Sequence, residues 1–135
     1  MSDAPTLTLL HNPHCSTSVH ALDALEDAGH EVRVRKYLLV AERLNADELR
    51  SLAERLQGDP PDALIRRDAQ YKALGLNADG MGVDEVVEIL VEHPRLLQRP
   101  ILDDGTHAMI GRPRARAAAW AQAGRVDADG GGAAA

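Results

Sequence analysis

The fold is decided by residues 6–37, which read TLTLLHNPHCSTSVHALDALEDAGHEVRVRKY. The segment 6–11 is short, apolar and β-prone, and Asn12-Pro13 indicates a turn directly after it. From Ser16 to Ala28 the apolar residues recur at helical spacing. The segment 31–37 alternates between apolar and polar residues, as a strand does. This stretch therefore predicts a β-α-β unit, and its short connections favour a parallel strand pair with a right-handed crossover.

The middle of the chain has a helical pattern. Asn45 precedes a run whose apolar residues fall on one helix face, so we predict that it is the N-cap of a helix. Segment 61–74 predicts one or two short helices, and segment 83–93 repeats the amphipathic pattern of a longer one.

The last third predicts two more strands and a helix. RPILDD at 99–104 and HAMIG at 107–111 are short apolar segments around Asp104-Gly105, which favours an antiparallel hairpin. Pro113 suits the first position of a final helix, in which Ala117, Trp120 and Ala121 would pack inward.

The order of elements predicts the fold class. It is β-α-β, then a helical block, then β-β-α. Without the helical block, at about 42–97, this is the order of the thioredoxin fold, an α/β fold with a mixed sheet. We therefore predict a single thioredoxin-like domain at 1–125 with an inserted helical subdomain, and a disordered tail at 126–135, which lacks core-forming residues.

Composition excludes several classes of function. The chain has 135 residues and a formal net charge of −6, which argues against nucleic acid as the default partner. No apolar stretch approaches the length that spans a bilayer, and the N-terminus lacks the pattern of a signal peptide. One cysteine cannot form an internal disulfide. We therefore expect a cytoplasmic protein that contacts neither membrane nor nucleic acid.

The single cysteine, Cys15, lies between the predicted first strand and first helix. A thiol reacts as the thiolate, and a helix N-terminus lowers its pKa through unpaired N–H groups and the helix dipole. The same N–H groups attract anions. Hydroxyl groups for the thiolate or for a ligand come from Ser16, Thr17 and Ser18.

Other interpretations of this cysteine remain open or are disfavoured. A lone cysteine is often a small buried apolar residue. The motif is C-x-x-S, so a self-contained dithiol cycle is excluded, and the phosphatase loop C-x5-R fails because residue 21 is alanine. A zinc site from His11, His14, Cys15 and His20 would have ligands too closely spaced for a usual zinc site, so we expect no metal.

Four blocks carry a resemblance to a known family. They are HNPHCSTS at 11–18, LIRRDAQYKALGL at 64–76, HPRLLQRPIL at 93–102 and IGRP at 110–113. In this order, with a helical insert before the R-P strand, they resemble the glutaredoxin-coupled arsenate reductases. The likeness runs from about residue 6 to 123 and implies a thioredoxin-like fold with a helical insert.

The resemblance also implies the site residues. Cys15 matches the family's nucleophile. Three arginines that hold an oxyanion match Arg66, Arg99 and Arg112, with Arg67 as an alternative to the first. Pro100 matches a cis-proline beside the site, and His11 matches a histidine that supports the thiolate. Guanidinium groups neutralise an oxyanion and donate several hydrogen bonds to it at once.

The activity that the resemblance implies is reduction of arsenate to arsenite by a single-cysteine thiolate. No cofactor would be bound, and the partner would be an external thiol: glutathione with glutaredoxin, or another low-molecular-weight thiol. The family pattern often has arginine where this chain has Val19. The alternative is a relative that acts as a redox-sensitive regulator or interaction module, of the type that binds RNA polymerase. Such regulators generally lack the full arginine set or carry C-x-x-C, which favours the enzyme here.

Overall fold

A computed structural model describes residues 7–123 of the chain. Within that range four strands form one mixed sheet in the order β2-β1-β3-β4. Three 3-10 helices occur at Val40–Glu42, Pro61–Leu64 and Pro94–Leu96. The strands and α-helices in chain order are β1 Leu7–Leu10, α1 Ser16–Asp27, β2 Val32–Arg35, α2 Ala46–Arg55, α3 Ala69–Ala73, α4 Val83–Glu92, β3 Ile101–Asp103, β4 Ala108–Ile110 and α5 Arg114–Ala123.

The first unit is the predicted β-α-β. Strands β1 and β2 pair in parallel, with Leu7 opposite Val32 and Leu10 opposite Arg35. Helix α1 ends before Gly29, whose φ of +85° reverses the chain direction in a conformation that favours glycine. The prediction of a parallel pair joined by a helix is therefore confirmed.

The last unit is the predicted β-β-α. Strand β3 pairs antiparallel with both β1 and β4. The strands are shorter than predicted, because β3 begins at Ile101 and leaves Arg99 and Pro100 just before it. Helix α5 begins at Arg114, so Pro113 precedes the helix instead of occupying its first position.

Helices fill the chain between β2 and β3. Asn45 caps α2 as predicted, because its side chain accepts a hydrogen bond from the Glu48 amide at 2.8 Å. The Glu48 carboxylate accepts one from the Asn45 amide at 3.0 Å, which completes a capping box. Where one or two short helices are predicted, the structure has two, the 3-10 helix Pro61–Leu64 and α3, and the longer predicted helix is α4.

The sheet separates two apolar cores, because successive side chains of a strand point to opposite faces. Helices α1 and α5 cover one face, and the helices of the insert cover the other. The first core includes Leu7, Leu9, Leu25, Leu102, Met109 and Trp120. The second includes Leu10, Leu52, Leu64, Leu90, Ile101 and Ile110. The order and pairing of the elements confirm the thioredoxin-like class with helices inserted between β2 and β3.

Some predictions fall outside the described residues. Thr6, the predicted first residue of the first strand, and the predicted tail at 126–135 both do. Among the helices that the structure describes, none has the length and apolar character to cross a membrane.

Candidate active site

Cys15 is the N-cap residue of α1, as predicted from its place after β1. Its amide donates to the Asn12 carbonyl at 3.0 Å, which closes the turn between the strand and the helix. Its side chain is buried, with 8 % of the residue exposed. The thiol therefore faces the first, unpaired N–H groups of the helix in a position shielded from bulk water.

The surroundings of Cys15 lower its pKa. Burial alone would raise the pKa of the thiol. Hydrogen bonds from the amides of Ser18 and Thr17, together with a hydrogen bond and the positive charge of Arg99, outweigh burial and bring the pKa to about 7. Near neutral pH a large fraction of Cys15 is therefore thiolate, the reactive form.

Two of the predicted arginines reach the sulfur of Cys15. Arg99 hydrogen-bonds to the thiol. Arg112 Nη2 lies 3.4 Å from Sγ, and its Nε donates to the Arg99 carbonyl at 2.7 Å. The two guanidinium groups therefore both lie against the sulfur of Cys15.

The β3–β4 hairpin positions this pair. Ile101 lies opposite Ile110, so the residue before β3 and the residue after β4 leave the sheet side by side. The Gly111 amide donates to the Pro100 carbonyl at 2.8 Å. A Cβ at Gly111 would lie 2.9 Å from Cγ of Pro100, so only glycine permits this approach. The Arg99–Pro100 bond is cis, as the resemblance implies, and the Arg112–Pro113 bond is cis as well.

Arg66 lies beside the pair without a recorded contact to the sulfur. Its amide donates to the Leu96 carbonyl at 2.7 Å, in a short antiparallel pairing of Ile65 with Leu97 that brings it next to Arg99. Its guanidinium pairs with Asp68 at 3.1 Å. Burial lowers the pKa of Arg66, and the charges of Arg99 and Arg112 lower it further, so the three guanidinium groups are close together.

Arg67, the alternative to Arg66, points elsewhere. It pairs with Asp79 at 2.5 Å and lies over the ring of Tyr71, 5.3 Å from its centre. Of the two neighbours, Arg66 is therefore the one that lies with the thiol.

An open cavity of about 400 Å³ is lined by Arg99, which hydrogen-bonds to the thiol, although Cys15 itself does not line it. The turn before Cys15 and several arginines form two sides of the cavity. One of these arginines, Arg95, was not predicted as a site residue. The lining residues are Asn12, His14, Leu38, Arg66, Asp68, Gln70, Arg95 and Arg99.

The predicted supporting residues have different environments. His11 is 4 % exposed, burial and then the charge of Lys36 lower its pKa, and its Nδ1 has no hydrogen-bond partner among the described residues. The structure records no hydrogen bond from His11 to the thiol within residues 7–123. Ser18 is buried and accepts from the Asn12 amide at 3.4 Å, which stabilises the turn, whereas Thr17 contributes its backbone amide to the thiol.

Sequence reasoning missed two further residues of the site. Tyr37 is 1 % exposed, donates from its hydroxyl to the Leu97 carbonyl at 3.3 Å, and hydrogen-bonds to Arg99. Burial raises the pKa of Tyr37, while the charge and hydrogen bond of Arg99 oppose that rise. Arg114 donates to the Ser16 hydroxyl at 3.1 Å and lines a shallow surface depression with Val19. A positive charge therefore lies near Val19, supplied by α5 instead of α1.

No group of three or more histidine, cysteine, aspartate or glutamate side chains within residues 7–123 has the arrangement of a metal site. The donors around Cys15 are guanidinium and amide N–H groups, which bind anions.

The sequence model of the ArsC family matches residues 10–120. The chain belongs to the ArsC family. An arsenate reductase of Haemophilus influenzae is 35 % identical over 109 residues, which are 80 % of this chain and 92 % of that protein. An uncharacterized protein in the glnII region of Streptomyces viridochromogenes is 38 % identical over 106 residues, which are 75 % of this chain and 87 % of that protein.

A solved structure of an ArsC-like protein has the same architecture. It is an arsenate reductase from Vibrio cholerae, with a TM-score of 0.71 and 33 % sequence identity. The match covers 82 % of this chain and 93 % of that one. Family membership and the thioredoxin-like fold with its insert, both expected from the sequence, are therefore confirmed.

Proposed function

We propose that this ArsC-family protein is an arsenate reductase that uses Cys15 as its nucleophile. The observation that carries the proposal is the environment of the thiol. Its pKa is about 7, and both Arg99 and Arg112 donate to its sulfur. The names of the relatives in Haemophilus influenzae and Vibrio cholerae support the same activity.

The arginines would bind the substrate and stabilise the developing charge. Arsenate carries negative charge near neutral pH, and a thiolate that approaches it meets electrostatic repulsion. Arg99 and Arg112 neutralise the anion where the reaction takes place, and Arg66 adds a third positive group beside them. Preorganised donors of this kind usually make the largest electrostatic contribution to catalysis.

The reaction balances with an external thiol as the reductant. The Cys15 thiolate attacks arsenic, an oxygen leaves as water, and a sulfur–arsenic bond forms. Two external thiols then supply two electrons and leave as a disulfide, while the sulfur–arsenic bond breaks. One arsenate and two thiols give one arsenite, one disulfide and one water, and Cys15 returns as the thiolate.

The reductant has to be external, because the chain contains one cysteine. We propose glutathione with glutaredoxin, or a similar low-molecular-weight thiol with its own thiol protein. No bound cofactor is needed for these steps.

The test is arsenate-dependent NADPH oxidation with alternative thiol systems: glutathione with glutaredoxin, thioredoxin, and other low-molecular-weight thiols. Turnover is expected with at least one system and is expected to disappear in Cys15→Ser. Arsenite, measured directly, should appear in proportion to the NADPH consumed. Absence of turnover with every thiol system would overturn the proposal.

A second measurement separates the enzyme from the interaction module. The rate at which iodoacetamide alkylates Cys15 is measured with and without arsenate or sulfate. An enzyme is expected to show a thiol with a pKa near 7 that anions protect. A thiol of ordinary pKa without protection would favour the regulator, and binding of RNA polymerase would then be the next measurement.

A further inference from the structure

The cavity that Asn12, His14 and Arg99 line is larger than the proposed substrate requires. Its volume of about 400 Å³ lies within the ~300–1,000 Å³ typical of sites for small organic molecules. Arsenate is a single tetrahedral ion. The same cavity therefore has room for part of a second reactant, and the proposed reaction has one, the external thiol.

The arginines of the cavity differ in what they contact. Arg99 lines the cavity and hydrogen-bonds to the sulfur of Cys15. Arg66 is partly neutralised by Asp68 at 3.1 Å. Arg95, at the 3-10 helix Pro94–Leu96, is exposed, and its side chain makes no hydrogen bond or ion pair with any residue in the described range 7–123.

The charges of the cavity favour a second anionic group. Three guanidinium groups line it, from Arg66, Arg95 and Arg99, against the single carboxylate of Asp68. An oxyanion bound at the thiol uses the two arginines that reach the sulfur, Arg99 and Arg112. Arg95 therefore remains as a cation at the outer part of the cavity, available to another anion.

We propose that Arg95 binds a carboxylate of the low-molecular-weight thiol that reduces the enzyme. The inference rests on the proposed function, since it names the class of the second substrate. A thiol whose carboxylate pairs with Arg95 extends through the cavity, past Arg66 and Arg99, and presents its sulfur next to Cys15. Charge-assisted hydrogen bonds between guanidinium and carboxylate are among the stronger polar contacts in proteins.

The test uses a thiol–disulfide exchange that involves no arsenate. Cys15 is first converted to a mixed disulfide with 4,4′-dithiodipyridine, whose pyridine groups carry no carboxylate. An added thiolate then attacks the Cys15 sulfur, so that the bond to the pyridyl sulfur breaks, a new disulfide forms on Cys15 and thiopyridone leaves with the electron pair. Release of thiopyridone gives the rate for glutathione, for 3-mercaptopropionate and for the uncharged 2-mercaptoethanol.

The variants are Arg95→Gln and, as a matched control, Arg33→Gln. Arg33 is exposed on β2 and does not line the cavity, so both variants lose one positive charge. Arg95→Gln is expected to slow the exchange about fivefold with the two carboxylate thiols. It should leave the rate with 2-mercaptoethanol unchanged, and Arg33→Gln should leave all three rates unchanged.

Three results would overturn the proposal. The first is that Arg95→Gln slows the exchange equally with charged and uncharged thiols. The second is that Arg33→Gln slows the exchange as much as Arg95→Gln does. The third comes from sulfate protection of Cys15 against alkylation: if Arg95→Gln weakens it as much as it slows glutathione, Arg95 belongs to the oxyanion site. Since the exchange contains no arsenate, a failed arsenate assay with a selective Arg95 effect would reject the proposed function alone. Arsenate turnover without a selective Arg95 effect would reject the Arg95 subsite alone.

Discussion

Two groups of arginines in this molecule differ in their partners. Between α2 and the sheet, two arginines each pair with a carboxylate. Arg35 donates to both oxygens of Glu48, at 2.6 and 3.0 Å. Arg55 donates to both oxygens of Asp103, at 2.5 and 2.9 Å. Such bidentate pairs join α2 to β2 and β3 and have a structural role.

At the thiol, the arginines outnumber the carboxylates. We define the arginine cluster as Arg66, Arg95, Arg99 and Arg112. Among the described residues, its one carboxylate partner is Asp68, which pairs with Arg66. The other recorded acceptors are the Arg99 carbonyl, the Tyr37 hydroxyl and the sulfur of Cys15.

The difference is also seen in the pKa values. A hydrogen bond to Glu48 raises the pKa of Arg35, and one to Asp103 raises the pKa of Arg55. Burial and the neighbouring Arg99 lower the pKa of Arg66. Like charges held together cost stability unless an anion joins them. The two groups therefore differ in charge compensation: Arg35 and Arg55 are each balanced by a carboxylate, whereas among the described residues Asp68 is the carboxylate that pairs with the arginine cluster.

The largest effect on activity is expected from a comparison of two single variants, one from each group of arginines. Arg99→Ala removes a donor at the sulfur and is expected to lower kcat/KM for arsenate about 100-fold. Its free energy of unfolding should not fall, because the variant also relieves repulsion with Arg66. The measurements are arsenate-dependent turnover and thermal or urea unfolding.

Arg55→Ala is the matched control from the paired region. Its partner Asp103 is 22 % exposed, so the loss lies between that of an exposed and a buried ion pair, about 2 kcal/mol of the free energy of unfolding. Turnover at a temperature where the variant is folded should stay at the wild-type level. The comparison fails if Arg99→Ala destabilises the fold more than Arg55→Ala does.

The next effect concerns the pH dependence of Cys15. The alkylation rate of the wild type should rise with pH and reach half its maximum near pH 7, because the thiolate predominates above the pKa of about 7. In Arg99→Ala the midpoint should move up toward the ordinary ~8.5 of a cysteine, which slows alkylation at neutral pH by up to about 15-fold. Below pH 7 the thiolate fraction of both proteins falls. The plots of the logarithm of the alkylation rate against pH should therefore become parallel.

Arg35→Ala supplies the control for this titration. Arg35 lies in the paired region, and its charge is balanced by Glu48. The midpoint should therefore stay near the wild-type value. An equal upward shift in Arg35→Ala and Arg99→Ala would mean that net charge, not contact with the sulfur, sets the pKa of Cys15.

Local patterns were sufficient to predict much of the fold. The alternation of β2, the helical period of α1 and the capping residue Asn45 each depend on neighbours in sequence, and each was confirmed. The start of β3 was wrong by two residues, since periodicity does not register that Pro100 has no amide hydrogen for the ladder. The start of α5 was wrong by one residue, because the preference of proline for the first helical position does not by itself fix a helix boundary.

The site could be predicted only where it depends on short motifs. The position of Cys15 follows from a strand, a turn and a helix in sequence. The choice between Arg66 and Arg67 could not be made, because it depends on the pairing of Ile65 with Leu97, which brings together residues distant in sequence. Tyr37 and Arg95 were missed for the same reason: one resembled a strand residue, and the other resembled one more surface arginine in an arginine-rich chain.

A smaller effect is expected from Tyr37, which links Arg99 to the insert. Tyr37→Phe keeps the buried ring but removes the hydroxyl that contacts Arg99 and the Leu97 carbonyl. The loss of about 1 kcal/mol in positioning Arg99 corresponds to a roughly fivefold fall in kcat/KM for arsenate. The pKa of Cys15 should rise, which the alkylation profile measures.

Tyr71→Phe tests whether that effect is specific. The Tyr71 hydroxyl accepts from the Ala78 amide at 2.9 Å, so this variant also loses one hydrogen bond, but away from the thiol. Both variants are expected to lose a similar free energy of unfolding. Only Tyr37→Phe should change the pKa of Cys15, and a parallel change in Tyr71→Phe would reduce Tyr37 to a packing role.

The smallest effect tests the single carboxylate of the arginine cluster. Asp68 accepts from the Tyr71 amide at 3.1 Å as the N-cap of α3, and asparagine caps helices as well as aspartate does. Asp68→Asn therefore removes the charge and keeps the helix. With less compensation of Arg66, arsenate should bind more tightly, and its KM should fall about twofold at low ionic strength.

Asp79→Asn is the control for charge alone, because Asp79 pairs with Arg67 and is 77 % exposed. Its arsenate KM should stay at the wild-type value. If Asp68→Asn instead raises KM, then Asp68 aligns Arg66 for the substrate more than it neutralises it. Arg66 would then resemble Arg35 and Arg55, since its carboxylate would fix its geometry, and the contrast between the two regions would narrow to Arg95, Arg99 and Arg112.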